Sequence, residues 1–314
     1  GAVTPAIAIE PWAPEFGAPV DPALTASDAA VDIAVEDAAS AWVPRDPAPS
    51  ATPAACAVFI DGIRRVDARV WLTGDDGRPA AGLCGSYAAG AVRCDSAGRV
   101  ERAEVRRVLL APAGAPTLRT RAGDYLHVAV AGDDEVLTAG LQRRMRDLEA
   151  TVARDVADAD LVVVDGPLRG REAVPNAVGY VKTHHVEYLP AVVSGVVARL
   201  APGQRTPLFV VASGSDGSWS RYSWYLRLPA AGGGAHPWRG IVRCEAAADL
   251  SRDEARRLAD RATLTLPRYA STPHKDPRAP QNLYPIAGLE RELRRRLGDP
   301  ALCYRLLQTA TVVA

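Results

Sequence analysis

The sequence predicts an α/β protein, a mixed sheet flanked by helices. Three observations lead there: short apolar or alternating runs begin at Ala57, one long segment repeats its apolar residues every three to four positions, and strand-like and helix-like segments alternate after it. With 314 residues, 48% of them hydrophobic, the chain can bury a sizeable core in one large domain or two small ones.

Residues 1–53 are rich in Ala, Pro and Asp and close on "VPRDPAPSATP". They read as an extended arm, ordered in part, with Trp12, Phe16 and Trp42 as docking anchors. Residues 54–314 read as the folded domain. "AVFIDGIRRVDARVWL" is two apolar runs joined at Asp61-Gly62, and with "YAAGAVRCDSAGRVERAEVRRVLL" it predicts an antiparallel meander. Leu137, Leu141, Met145, Leu148, Val152 and Val156 share one helical face, which predicts a helix over 135–155.

The run "LVVVD" predicts a strand buried on both faces and ending at Asp165. "AVGYVKTHHVEYL" continues as a strand running into a loop or helix, and "TPLFVVAS", "SRYSWYLRLP" and "WRGIVRCEAA" supply three more strands. Ser251 with Glu254 three residues on is a capping-box signature that starts a helix running to about Ala262. Leu289, Leu293 and Leu297, followed by Gly298, mark a further helix and its stop. This order suits an RNase H-like core.

Composition narrows the chemistry. The net charge is zero, so any nucleic-acid surface is a local patch. Nothing approaches the roughly 18 consecutive apolar residues of a membrane helix, and the N-terminus lacks a basic segment followed by an apolar one, so the expectation is a soluble, cytoplasmic protein with no membrane partner. The five cysteines are scattered without a Cys-x-x-Cys pair, which argues against zinc or redox chemistry. Of the 37 basic residues only Lys182 and Lys275 are lysine, and Asn occurs only at Asn176 and Asn282. In so arginine-rich a chain, a retained Lys points to a place where a compact ammonium is needed and a planar guanidinium is not.

Burying a lone carboxylate costs several kcal/mol, on the order expected for an uncompensated ion, so an Asp at the end of an apolar strand is either solvated in a turn or bound to a cation. Asp61 and Asp165 both have this setting, and each is followed by Gly in a pattern that also fits a turn. Glu149 lies at the border of the apolar stripe of the long helix, where it either meets solvent or faces the strand ends. Three converging carboxylates would be a hard oxygen site suited to Mg²⁺ or Mn²⁺ and would accommodate two ions. Lys182 could neutralise charge on a phosphate. The C-terminal stretch gathers His274, Lys275, Gln281 and Asn282 among Pro273, Pro277 and Pro280, which reads either as a structured loop over a site, with His274 a metal ligand, phosphate contact or proton donor, or as an ordinary Pro-rich connection.

"FIDGIRR", "RRMRDLEA", "DLVVVDGPL", "VGYVKTHH" and "RYSWYLRLP", in this order over roughly residues 55–300, resemble the NurA nucleases that partner the HerA hexameric translocase. "EPWAPEFGAPVDP" is similar to the family's opening segment. The resemblance implies an Argonaute Piwi-like, RNase H-like core in a homodimer around DNA. It implies manganese-dependent 5′-to-3′ exonuclease and single-strand endonuclease activity in DNA-end processing, for repair or antiviral defence. It places Asp61, Glu149 and Asp165 on the metal, Lys182, Tyr225 and Arg227 near the DNA, and a C-terminal residue in the site, for which His274 and Glu290 both stand as candidates; Lys275, the other retained lysine, is a further DNA-binding candidate. Two other readings stay open: a non-catalytic adaptor of the translocase, and an RNase H-like nuclease acting on RNA or hybrid.

Overall fold

In the computed structural model the described residues are 20–73, 79–156, 158–213, 219–229 and 238–312. The expected anchors Trp12 and Phe16 lie outside them. The chain is α/β, a large mixed sheet flanked by helices. Contacts group it into two compact units, one of Gly1–Phe59 with Ala157–Ala287 and one of Ile60–Val156 with Gly288–Ala314. Strand β3 (Ala57–Thr73) contributes its first residues to one unit and the rest to the other.

In the first unit, β2 (Ala30–Asp32), β10 (Phe209–Ser213), β11 (Trp219–Arg227), β12 (Ile241–Ala247) and β8 (Ala177–Val181) pair antiparallel in that order, and β8 pairs parallel with β7 (Leu161–Asp165). A separate parallel pair joins β1 (Val20–Ala26) to β9 (His184–Glu187). The latter part of the expected arm is docked here: Trp42 is buried with Phe209, Val211 and Tyr225 and with Val193, Val196 and Val197 of helix α2 (Ala191–Arg199). Ser251 caps α3 (Arg252–Thr265) through the capping box read from the sequence, and the helix runs one turn beyond its expected end.

In the second unit, β4 (Pro79–Cys94) and β5 (Gly98–Ala111) form a long antiparallel hairpin, with β6 (Leu126–Ala129) parallel to β5. Helix α1 (Asp134–Asp155) starts at Asp133, whose carboxylate accepts the Val136 amide at 3.0 Å, a cap that stabilises by roughly 1 kcal/mol. Its predicted stripe is buried, and Leu141 packs where a Cβ on Gly85 would stand 2.7 Å away. Helix α4 (Tyr284–Leu297) ends at Gly298, whose φ of 80° is the left-handed cap expected of glycine. A last helix, α5 (Pro300–Val312), was not expected; Asp299 caps it by accepting the Leu302 amide at 2.7 Å.

One expectation is overturned. Asp61-Gly62 is no hairpin turn: β3 runs through it for 17 residues. The glycine serves a close approach instead, since a Cβ on Gly62 would stand 2.7 Å from Oε1 of Glu149.

Candidate functional site

The first unit presents Asp165 at the end of β7. Leu161 to Val164 are fully buried, as a continuous apolar run in a parallel neighbourhood requires. The strand then stops because Gly166 adopts φ 93° and donates its amide to the Tyr180 carbonyl at 2.8 Å. Gly179 on β8 allows this turn to pack closely, since a Cβ there would meet the Leu168 amide nitrogen at 2.6 Å. Asp165 is left with its side chain 13% exposed.

Lys182, just beyond β8, donates from Nζ to Oδ2 of Asp165 at 2.7 Å and to Oδ1 of Asn282 at 3.2 Å. The other oxygen of Asp165, Oδ1, is buried and has no hydrogen-bond partner. A buried, unpartnered carboxylate oxygen is costly unless a cation completes its surroundings. Asp165 and Lys182 open onto a cleft of about 530 Å³ that His185, Tyr188, Arg243 and Arg278 also line. Tyr180, at the same cleft, donates from its hydroxyl to the Gln281 carbonyl at 2.7 Å. Burial, then the nearby Cys244 and Asp165, pushes its phenol well above the ordinary range, so it remains a hydrogen-bond donor at neutral pH.

The loop carrying the C-terminal candidates divides by burial. His274 and Lys275 are exposed, and the Lys275 ammonium lies 5.8 Å from the centre of the Tyr284 ring. Asp276, Gln281 and Asn282 are buried.

Two residues expected near the DNA lie in the first unit. Tyr225 is 2% exposed and stacks at 5.9 Å on Phe209 in the core. The Arg227 guanidinium is half-buried and donates to the carbonyls of Arg239 at 2.7 Å and Ala198 at 3.3 Å, which ties down the end of α2. His184 and His185 diverge as neighbours on a strand must, one buried and one exposed. Burial above all lowers the His184 pKa to about 4, and its Nε2 lies 3.1 Å from the Ile241 carbonyl.

In the second unit Asp61 is 6% exposed on β3, and Glu149 is 2% exposed on α1. The Glu149 carboxylate lies against the backbone at Gly62, the residue after Asp61, where a Gly62 side chain would otherwise stand. Glu290 is half-buried on α4. Asp276 carried no sequence signal of its own, and Asn282 stood out only by the rarity of asparagine.

Buried carboxylates stand on strands and a helix of this α/β fold, and a lysine is held against one of them. A family model, the NurA domain, matches residues 131–295, more than half of the chain, and the chain belongs to the NurA family. The match takes in Glu149, Asp165, Lys182, His274, Asn282 and Glu290 and begins after Asp61. No curated protein matches the chain.

Proposed function

We propose that this NurA-family protein is a metal-dependent deoxyribonuclease that hydrolyses phosphodiester bonds at DNA ends. The single observation that carries the reading is the buried, unpartnered Oδ1 of Asp165 beside a lysine that already takes Oδ2. That atom fits a hard divalent ion, and the donors on offer are carboxylate oxygens. On the family resemblance the reading takes Asp61, Glu149 and Asp165 as metal ligands, and it prefers the half-buried Glu290 to the exposed His274 as the C-terminal one.

Mn²⁺ or Mg²⁺, as one ion or two, would activate a water and stabilise the leaving oxygen. The chain's own residues do the rest. Lys182 keeps an ammonium beside Asp165, where it offsets charge on a phosphate, and Arg243 and Arg278 line the cleft through which the strand backbone approaches. On the family resemblance the sheet is RNase H-like, the protein works as a homodimer with a HerA-type ATPase, and cleavage is 5′-to-3′ with single-strand endonuclease activity.

The test is cleavage of 5′-labelled and 3′-labelled linear DNA with Mn²⁺, Mg²⁺ or EDTA, by wild type and Asp165→Asn, with and without the ATPase. Metal-dependent cleavage that the variant loses supports the reading, and the label pattern gives direction. A folded protein that cuts nothing overturns it in favour of an adaptor; cleavage of hybrid in preference to DNA would move the substrate to RNA.

A further inference from the structure

Lys182 carries a flexible four-carbon stem, and its ammonium has three donors to place. Asp165 takes one of them with a full opposing charge. Asn282 takes another at 3.2 Å with none, so it orients the ammonium without cancelling it. The amide can do this in one orientation only. Its Nδ2 donates to Oδ2 of Asp276 at 2.7 Å, which turns Oδ1 towards Lys182. The reversed amide would set an NH₂ against the ammonium and an oxygen against the carboxylate, both repulsive.

Asp276 is itself fixed. Its Oδ1 accepts the Arg278 amide at 2.8 Å, and its own amide donates to the Thr272 carbonyl at 3.0 Å. Asn282 has no exposed surface; its amide donates to the Arg278 carbonyl at 3.0 Å and its carbonyl accepts the Ser271 amide at 3.2 Å. Asn176, the chain's other asparagine, has a backbone reason for its identity, a φ of 56°. Among the described residues it is the one non-glycine position in that region, so Asn282 is explained by its side chain.

Resting on the nuclease reading above, we infer that Asp276 and Asn282 are positioning residues: Asp276 fixes the Asn282 amide, and Asn282 holds the Lys182 ammonium where it meets a phosphate of the DNA strand. Neither need touch the substrate.

The experiment is a double-mutant cycle on the full chain, with Lys182→Ala as one arm and Asn282→Ser or Asp276→Asn as the other, folding being checked by melting temperature. Serine leaves a hydroxyl for Asp276, and the Asp276 variant keeps the shape while releasing the amide, so one arm survives if the other fails to fold. Each is read as cleavage with Mn²⁺ and as affinity for a single-stranded oligonucleotide in EDTA. Either positioning change should lower cleavage about tenfold alone and less than about twofold in the Lys182→Ala background. Because the chain has only two lysines, ¹⁵Nζ-lysine labelling gives one signal each, and the Lys182 signal alone should shift. Losses that multiply in the double variant, or an unmoved Lys182 signal, would overturn the inference. A wild type that binds the oligonucleotide but cuts nothing ends the nuclease reading, and the binding cycle with the lysine signal still decides this one.

Discussion

Arg205 and Asp165 each hold a charge inside the first unit, but their surroundings are completed differently. Arg205, 1% exposed, donates to Asp260 at 2.8 Å, to both oxygens of Glu36 at 2.8 and 2.9 Å, and to the Thr206 carbonyl. The acids are satisfied in turn by the Ala48 and Leu208 amides. Burial alone would raise the Glu36 carboxyl, yet the Arg205 guanidinium outweighs it and holds the group below its ordinary value. Asp165 has one strong partner and one buried oxygen with none. The first arrangement is finished by the protein itself and joins the N-terminal segment to α3; the second calls for something the chain does not supply.

That contrast can be broken from either side. Arg205→Met should cause the largest stability change, about 3 to 5 kcal/mol by urea unfolding, because Glu36 and Asp260 are left buried without their cation. Asp165→Asn should change stability by less, about 1 to 2 kcal/mol, since Lys182 loses its opposing charge but keeps Asn282 as a partner, while cleavage falls about a hundredfold or more. Equal losses of stability in both variants would erase the distinction.

His184 offers a control on ordinary burial. Its pKa of about 4 lies below the unfolded value near 6.5, so the unfolded chain takes up the proton first. Its stabilising contribution is therefore intact above pH 6.5 and falls as the pH drops towards 4. The stability difference between wild type and His184→Gln should shrink by about 2 kcal/mol between pH 7 and pH 5, measured by urea unfolding at each pH. The smallest effect is expected at Lys275, exposed over Tyr284: Lys275→Ala should move stability by less than about 0.5 kcal/mol and weaken DNA binding about twofold with a shallower salt dependence.

Much of this was legible in the sequence where one physical cause dominates. The unbroken run before Asp165 gave a strand buried on both faces, and the rarity of lysine and asparagine drew attention to Lys182 and Asn282. Where one pattern has two causes, the sequence does not choose between them. Asp61-Gly62 has the letters of a hairpin turn, but its glycine is required by the approach of Glu149, 87 residues later in the chain. Tyr225 alternates with its neighbours on a strand, and which face is the core depends on where α2 packs. The start of α5 at Asp299-Pro300 was hidden behind the stop signal at Gly298.

The most direct test of the account is Mn²⁺ binding to the full chain, followed by the electron paramagnetic resonance signal of the free ion, for wild type, Asp165→Asn and Lys275→Ala. The account predicts that wild type and Lys275→Ala remove Mn²⁺ from solution alike and that Asp165→Asn loses at least one bound ion per chain. Equal binding by all three proteins, or none by folded wild type, would contradict it.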